Sequence, residues 1–210
     1  NIEIQYHYQE NQGMHGGHNA AYRLIKTELN VCIDSDDCMG DNAIEKILTA
    51  WELIKDNKKY AGLVGLDADF NGELIGTKIV KKYPPYPIFE GERFVPLGYL
   101  YQLIDQDYKL LPINEVFCKV EYMTDGSSMN MLKQYRRHPK GFAFSRKSRM
   151  KLAENFKDEF KNAIHYVSCS IFIKNEKFLV ESPKKLTAIL AIPFGIVLYI
   201  YIRFKTKNNT

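Results

Sequence analysis

Three carboxylates fall within four residues at Asp34-Ser35-Asp36-Asp37, just after Leu29 and the run Val31-Cys32-Ile33. The run reads as a buried strand that delivers the carboxylates to its exposed end. Hard oxygen donors grouped in this way suit Mg²⁺ or Mn²⁺, which keep several waters and bind through one or two carboxylates plus substrate phosphates. A strand end in an open α/β sheet is also where ligands dock. The competing reading is a solvated acidic turn that caps the next helix. A second acidic pair, in Asp67-Ala68-Asp69-Phe70-Asn71-Gly72, reads mainly as a solvated turn, with Asn71-Gly72 as its turn signal.

The elements that must position the cluster can be read on either side of it. Ile2, Ile4, Tyr6 and Tyr8 alternate with Glu3, Gln5 and His7, a period-2 strand pattern. Tyr8-Gln9-Glu10-Asn11-Gln12-Gly13-Met14-His15-Gly16-Gly17-His18-Asn19 then fits a strand, a glycine-containing turn and a helix start. Free N–H groups and the positive helix end could face an anion there. After the cluster, Ala43, Ile44, Ile47, Leu48, Trp51 and Ile54 make an amphipathic face, with Asn42 and Glu45 spaced as a capping box. Tyr60 to Leu66 reads as a further strand. Lys81-Lys82-Tyr83-Pro84-Pro85-Tyr86-Pro87 must be a loop, because proline removes a donor and restricts its predecessor. A helix fits Arg93 to Ile104, with Pro96 and Gly98 confined to its start. Glu90 and Glu92 then sit just ahead of a helix N-terminus, where the dipole favours acidic side chains.

Taken in order, these motifs resemble a family 2 glycosyltransferase of the bacterial surface-polysaccharide subgroup. The pattern is Asn11-Gln12-Gly13, then Asn19, then a strand ending in the Asp-x-Asp-Asp of Asp34-Ser35-Asp36-Asp37. Phe89-Glu90-Gly91-Glu92-Arg93-Phe94-Val95-Pro96 looks like the acidic motif that opens the helix over the acceptor side. The likeness runs on through Asn114-Glu115-Val116, Glu121-Tyr122-Met123-Thr124-Asp125-Gly126-Ser127 and Pro139-Lys140-Gly141-Phe142-Ala143, covering most of residues 1 to about 180. It implies an α/β chain with a GT-A-like, Rossmann-like mixed sheet flanked by helices. It also implies an inverting hexosyl transfer from a nucleotide sugar, a UDP-sugar being favoured, with Mg²⁺ or Mn²⁺ as cofactor. Asp36 would be the main metal ligand and Asp34 a second ligand or a ribose contact. Asn11, Gly13, Asn19, Asp34 and Ser35 would line the donor side. Glu92 would be the base, with Glu90 in reserve.

Two residues depart from the family pattern. The acidic motif commonly reads Glu-Asp with the Asp as base, where this chain has Glu92-Arg93, and position 18, often basic in the family, is His18. The family's first strand-helix-strand unit, which binds the base and ribose, does not precede these motifs, so the expectation is an N-terminally truncated domain with an exposed sheet edge. An inactive remnant or a non-catalytic membrane-peripheral module is therefore the alternative function.

Composition narrows the class further. A chain of 210 residues that is 45% hydrophobic can bury a domain core. Cys32, Cys38, Cys118 and Cys169 show no CxxC spacing, so neither a disulfide scaffold nor a zinc motif is indicated, and His15 and His18 with Cys32 or Cys38 do not complete a four-ligand set. A reducing cytoplasm fits this cysteine usage.

Lys133, Arg136, Arg137, Lys140, Arg146, Lys147, Arg149 and Lys151 occur with no acidic residue among them. Net charge is only +4 and no nucleic-acid-binding signature accompanies the run, so a phosphate-rich membrane surface is expected rather than nucleic acid. A solvated helical face is the plainer reading. Leu186 to Ile202 is almost wholly apolar, broken by Pro193 and Gly195 and flanked by basic residues. At ~1.5 Å per residue it reaches ~26 Å, short of a ~30 Å hydrocarbon core, which favours a bent segment inserted from the cytoplasmic face of the cell membrane. The expected organisation is a partial transferase domain over 1–130, a basic helical extension over 131–183 and an apolar membrane-associating tail over 184–210. A lipid-linked glycan would be the acceptor.

Overall fold

The computed structural model describes residues 3–67, 71–119 and 130–207 and has a mixed α/β architecture. In chain order its elements are α1 (Gly13–Leu24), β1 (Leu29–Asn30), β2 (Cys38–Met39), α2 (Ala43–Glu52), β3 (Tyr60–Asp67), β4 (Asn71–Gly76), α3 (Thr77–Val80) and α4 (Gly98–Asp107). They continue as β5 (Lys109–Lys119), α5 (Met131–Arg137), α6 (Pro139–Leu152), α7 (Phe156–Ile173), α8 (Phe178–Glu181), α9 (Lys185–Leu190) and α10 (Ile192–Lys205). One sheet holds the strands in the order β1-β4-β3-β5-β2. β3 and β5 run parallel and the other pairs antiparallel, so the sheet is mixed, as expected.

β3 is the central strand and matches the reading of Tyr60 to Leu66. Its Ala61 and Leu63 are wholly buried, which suits a strand covered on both faces. Ala43, Ile47, Ala50, Trp51 and Ile54 pack with Leu63 and Phe117 in one cluster. Val80, Tyr86, Val95, Tyr99, Leu100 and Ile104 pack with Ala61 in another. Burying a side chain the size of Leu63 contributes about 1.5–3 kcal/mol. A third cluster, built on Tyr135, Phe142, Met150, Tyr166, Val167 and Ile202, lies among the C-terminal helices. Phe144 of α6 joins the layers, meeting Phe89 and Tyr99 edge to ring.

Several expectations are corrected. Residues 3–12 form no strand, and Ile4, Tyr6 and Tyr8 are among the most exposed apolar side chains. Alternation alone makes no strand where no neighbour supplies a ladder. β1 holds only Leu29 and Asn30, at the sheet edge against β4, while Val31 and Cys32 are exposed. The run into the acidic cluster is thus not a buried strand. α1 begins at Gly13, so Asn19 lies inside the helix and not at its start.

The capping box of α2 does not form, because Asn42 has φ 57° and its side chain makes no cap bond. α2 is also rotated from the expected face: Ile44 and Leu48 point to solvent, and small Ala43 and Ala50 face inward. α4 starts at Gly98 and not Arg93, since Pro96 bars helical geometry just before it. Asn71 and Gly72 lie in β4, paired with Leu66 and Gly65, and do not form the turn expected there. The connecting Ala68, Asp69 and Phe70, and the motif Glu121 to Ser127, lie outside the described residues. The Lys81 to Pro87 segment is a loop, as read.

Candidate functional site

Beyond β1 the chain folds into a turn, with Asp37 donating its N–H to the Asp34 carbonyl at 3.0 Å. One carboxylate oxygen from each of Asp34, Asp36 and Asp37 comes within 4.8 Å of the others. Asp34, Ser35 and Asp36 are exposed and Asp37 is half-buried. Like charges at this spacing repel, and either water or a cation must relieve them. The spacing and hard-oxygen chemistry fit a divalent ion that keeps part of its water shell.

At the start of α1, Asn11 is a local cap: its Oδ1 accepts the Gly13 N–H at 2.9 Å. Gly13 has φ +79°, and a Cβ there would lie 2.0 Å from the Arg93 carbonyl oxygen. Only glycine allows this approach. His15 and His18 follow on the buried side of α1. His15 is 1% exposed and neither of its ring nitrogens has a partner among the described residues. Burial lowers its pKa, reinforced by His138 and His18. His18 sits 3.1 Å from the Tyr22 hydroxyl, and burial lowers its pKa against an opposing pull from Asp34. Asn19 clamps the proline-rich loop. Its Nδ2 donates to the Tyr86 carbonyl at 2.8 Å and its Oδ1 accepts the Tyr86 N–H at 2.9 Å.

Glu92 does not stand just ahead of its own helix. Its carboxylate crosses to α6, where Oε1 accepts the Lys140 N–H and Oε2 the Gly141 N–H, each at 2.8 Å. Pro139, the first residue of α6, has no N–H, and the preceding His138 side chain makes no cap bond. Glu92 therefore satisfies the two orphan donors that remain in the first turn. Burial raises its pKa, while the two backbone bonds and the Lys140 charge pull it down. A Cβ on Gly141 would lie 2.1 Å from the Phe94 carbonyl oxygen. His138 Nδ1 accepts the Arg93 N–H at 3.1 Å. The backbone of Arg93 and Phe94 is thus held between the first turns of α1 and α6. Glu90 is exposed, and its backbone carbonyl accepts Lys140 Nζ at 3.2 Å.

His138, on the other side of this junction, is bonded to Arg93 and its pKa is lowered by burial, then by Arg137 and Arg93. His15 and His138 were not singled out as a pair by sequence. The signals available were an unusual histidine density near Gly16-Gly17 and a histidine before Pro139. The basic run of α5 and α6 does not form a free solvated face. Arg146 donates to Asn162 Oδ1 at 3.0 Å, Arg136 to the Thr206 carbonyl at 2.9 Å, and Lys147 pairs with Glu181 at 3.6 Å. These contacts tie α5 and α6 to neighbouring helices. Comparison with known proteins gives no match among family models, curated proteins or solved structures.

Proposed function

We propose that this chain is a metal-dependent, inverting glycosyltransferase with a GT-A-like arrangement, moving a hexosyl group from a nucleotide sugar to a lipid-linked or saccharide acceptor in surface polysaccharide assembly. The observation that carries the reading is the convergence of Asp34, Asp36 and Asp37 oxygens within 4.8 Å in the turn that follows β1. Asp36 and Asp34, with Asp37 beside them, would hold Mg²⁺ or Mn²⁺. A divalent ion held by these residues would supply neutralisation of the charge on a leaving diphosphate.

The protein groups would divide the remaining work. Asn11 and Gly13 fix the first turn of α1, and with Asn19 and Ser35 they line the donor side. Glu92 takes the proton of the acceptor hydroxyl, a role helped by its raised pKa. The acceptor oxygen bonds to the anomeric carbon as the bond from that carbon to the phosphate oxygen breaks. The electron pair leaves on the nucleoside diphosphate, and the configuration inverts. Glu90, more exposed than Glu92, is the alternative proton acceptor.

A second reading is a non-catalytic module. It is favoured by one observation: both Glu92 oxygens are already engaged by α6. Assay of nucleoside diphosphate release from UDP-sugars and GDP-sugars with Mn²⁺ separates the two. The transferase reading expects release that falls about 100-fold in Asp36→Ala, and by a similar factor in Glu92→Gln or Glu90→Gln, whichever is the base. Absence of release from every donor by the folded wild-type chain contradicts it.

A further inference from the structure

α10 is apolar around most of its circumference, yet only one narrow side is covered. Gly195 and Ile202 are buried, and Tyr199 meets Phe172 of α7 with ring centroids 4.6 Å apart. The opposite side exposes Ile196, Val197, Ile200 and Phe204, and Phe194 is exposed at the margin of the packed side. A water-facing helix carries polar residues there. α9 adds Leu186, Ile189 and Leu190, all exposed, with Leu186 at 78% and Phe204 at 79%. The apolar surface reaches α7 through Phe194, which meets Phe160 at 5.5 Å, and Phe160 stacks on the exposed Phe156 at 5.6 Å. Scattered apolar side chains need no explanation, but a patch continuous over two helices does.

Charge identifies the occupant. From Ser182 to Thr210 the chain has no acidic residue, and its five cations, Lys184, Lys185, Arg203, Lys205 and Lys207, stand in two groups at the ends of the apolar stretch, Lys184 being paired with Glu159 of α7 at 3.3 Å. A second copy packed on the same face by a two-fold axis would bring cations toward cations or onto apolar surface, with no acidic residue of this segment to offset them. An anionic bilayer matches both features, because acyl chains take the apolar face and headgroup phosphates take the flanking lysines and arginines. The break between α9 and α10 at Ala191, with Pro193 in the first turn of α10, excludes a straight spanning helix, and no helix among the described residues is long and apolar enough to cross a membrane.

We infer that the α9–α10 face is a monotopic membrane-docking surface that lies in the plane of an anionic lipid leaflet. This inference rests on the exposed face and its flanking charge, and stands apart from any sugar transfer. In the fold, α7 and α10 are packed together, so docking occurs without unfolding the helical layer.

The test is sedimentation of the full chain with vesicles of phosphatidylcholine alone or with phosphatidylglycerol, at low and high salt. Val197→Glu and Phe204→Glu alter exposed positions and leave the packed side of α10 intact; circular dichroism checks that they fold. The expected result is binding to phosphatidylglycerol vesicles that weakens at least about tenfold in either variant and falls with salt. Failure of the wild-type chain to bind at low salt overturns the inference, as does unchanged binding by both folded variants. A concentration-dependent dimer that Val197→Glu abolishes, without vesicle binding by the wild type, assigns the face to self-association and also overturns it.

Discussion

Glu92 and Gly141 are joined by a 2.8 Å hydrogen bond from the glycine N–H to Oε2, across 49 positions of sequence. With the matching bond from Lys140, it makes Glu92 the remote N-terminal cap of α6. The segment that the acidic motif occupies is thereby fixed to the helical layer.

Replacing Glu92 by Gln presents an amide NH₂ to one of two converging N–H groups. Loss of that acceptor costs about 1–3 kcal/mol, read as a lower urea midpoint. The pH dependence has a defined sign. Burial raises the native acid above its ordinary value of 4.5, so wild-type stability falls as pH rises from 4.5 to the native value. Glu92→Gln lacks that slope. A variant as stable as wild type would show the cap to be energetically idle.

Gly13→Ala and Gly141→Ala each drive a methyl group into a backbone carbonyl, at 2.0 Å from Arg93 and 2.1 Å from Phe94. Both variants should lose about 3 kcal/mol or more, or fail to fold. Gly17→Ala is the control. It meets nothing within 4 Å and lies in α1, so it should gain roughly 0.5–1 kcal/mol. Thermal midpoints of the three variants check the contrast.

Asn19→Ala removes both bonds to the Tyr86 peptide. The expected loss is about 2 kcal/mol, with faster tryptic cleavage after Lys81 and Lys82. Cleavage at the wild-type rate would mean that the prolines, and not Asn19, hold the loop.

His165 contributes a pH response of opposite sign to Glu92. Burial, followed by Arg146, Lys161 and Arg149, lowers its pKa from 6.5 to about 4. Above pH 6.5 the ring is neutral in both states and its contribution is complete. Below pH 6.5 the unfolded chain takes up a proton that the native chain refuses, so stability falls until about pH 4. At about 1.4 kcal/mol per pKa unit the loss is at most about 3.5 kcal/mol. His15, His18 and His138 are lowered too and contribute with the same sign below pH 6.5. Urea midpoints at pH 7.5 and 4.5, with His165→Gln for comparison, measure it; a flat profile contradicts the assignment.

Local rules were enough for some elements and not others. β3 follows from its apolar run and the Lys81 to Pro87 loop from its prolines, because each is set by its own residues. The cap of α6 could not be read, since its acceptor lies on a segment distant in sequence. Val31, Cys32 and Ile33 carry the composition of a strand, but strand formation needs a ladder partner, and β4 reaches only Leu29 and Asn30. Ile44 and Leu48 fit a helical face, yet two alanines allow α2 a closer approach on another side. Of the candidate site, the acidic trio was legible as a cluster, whereas the role of Glu92 as a cap and the burial of His15 required the fold.

The measurement that bears most directly on the transferase reading is calorimetric titration of UDP into the full chain, with and without Mn²⁺, alongside Asp36→Ala. The account predicts binding that requires Mn²⁺ and is lost in Asp36→Ala while the fold is retained. Absence of UDP binding with Mn²⁺, or binding indifferent to both Mn²⁺ and Asp36, contradicts it.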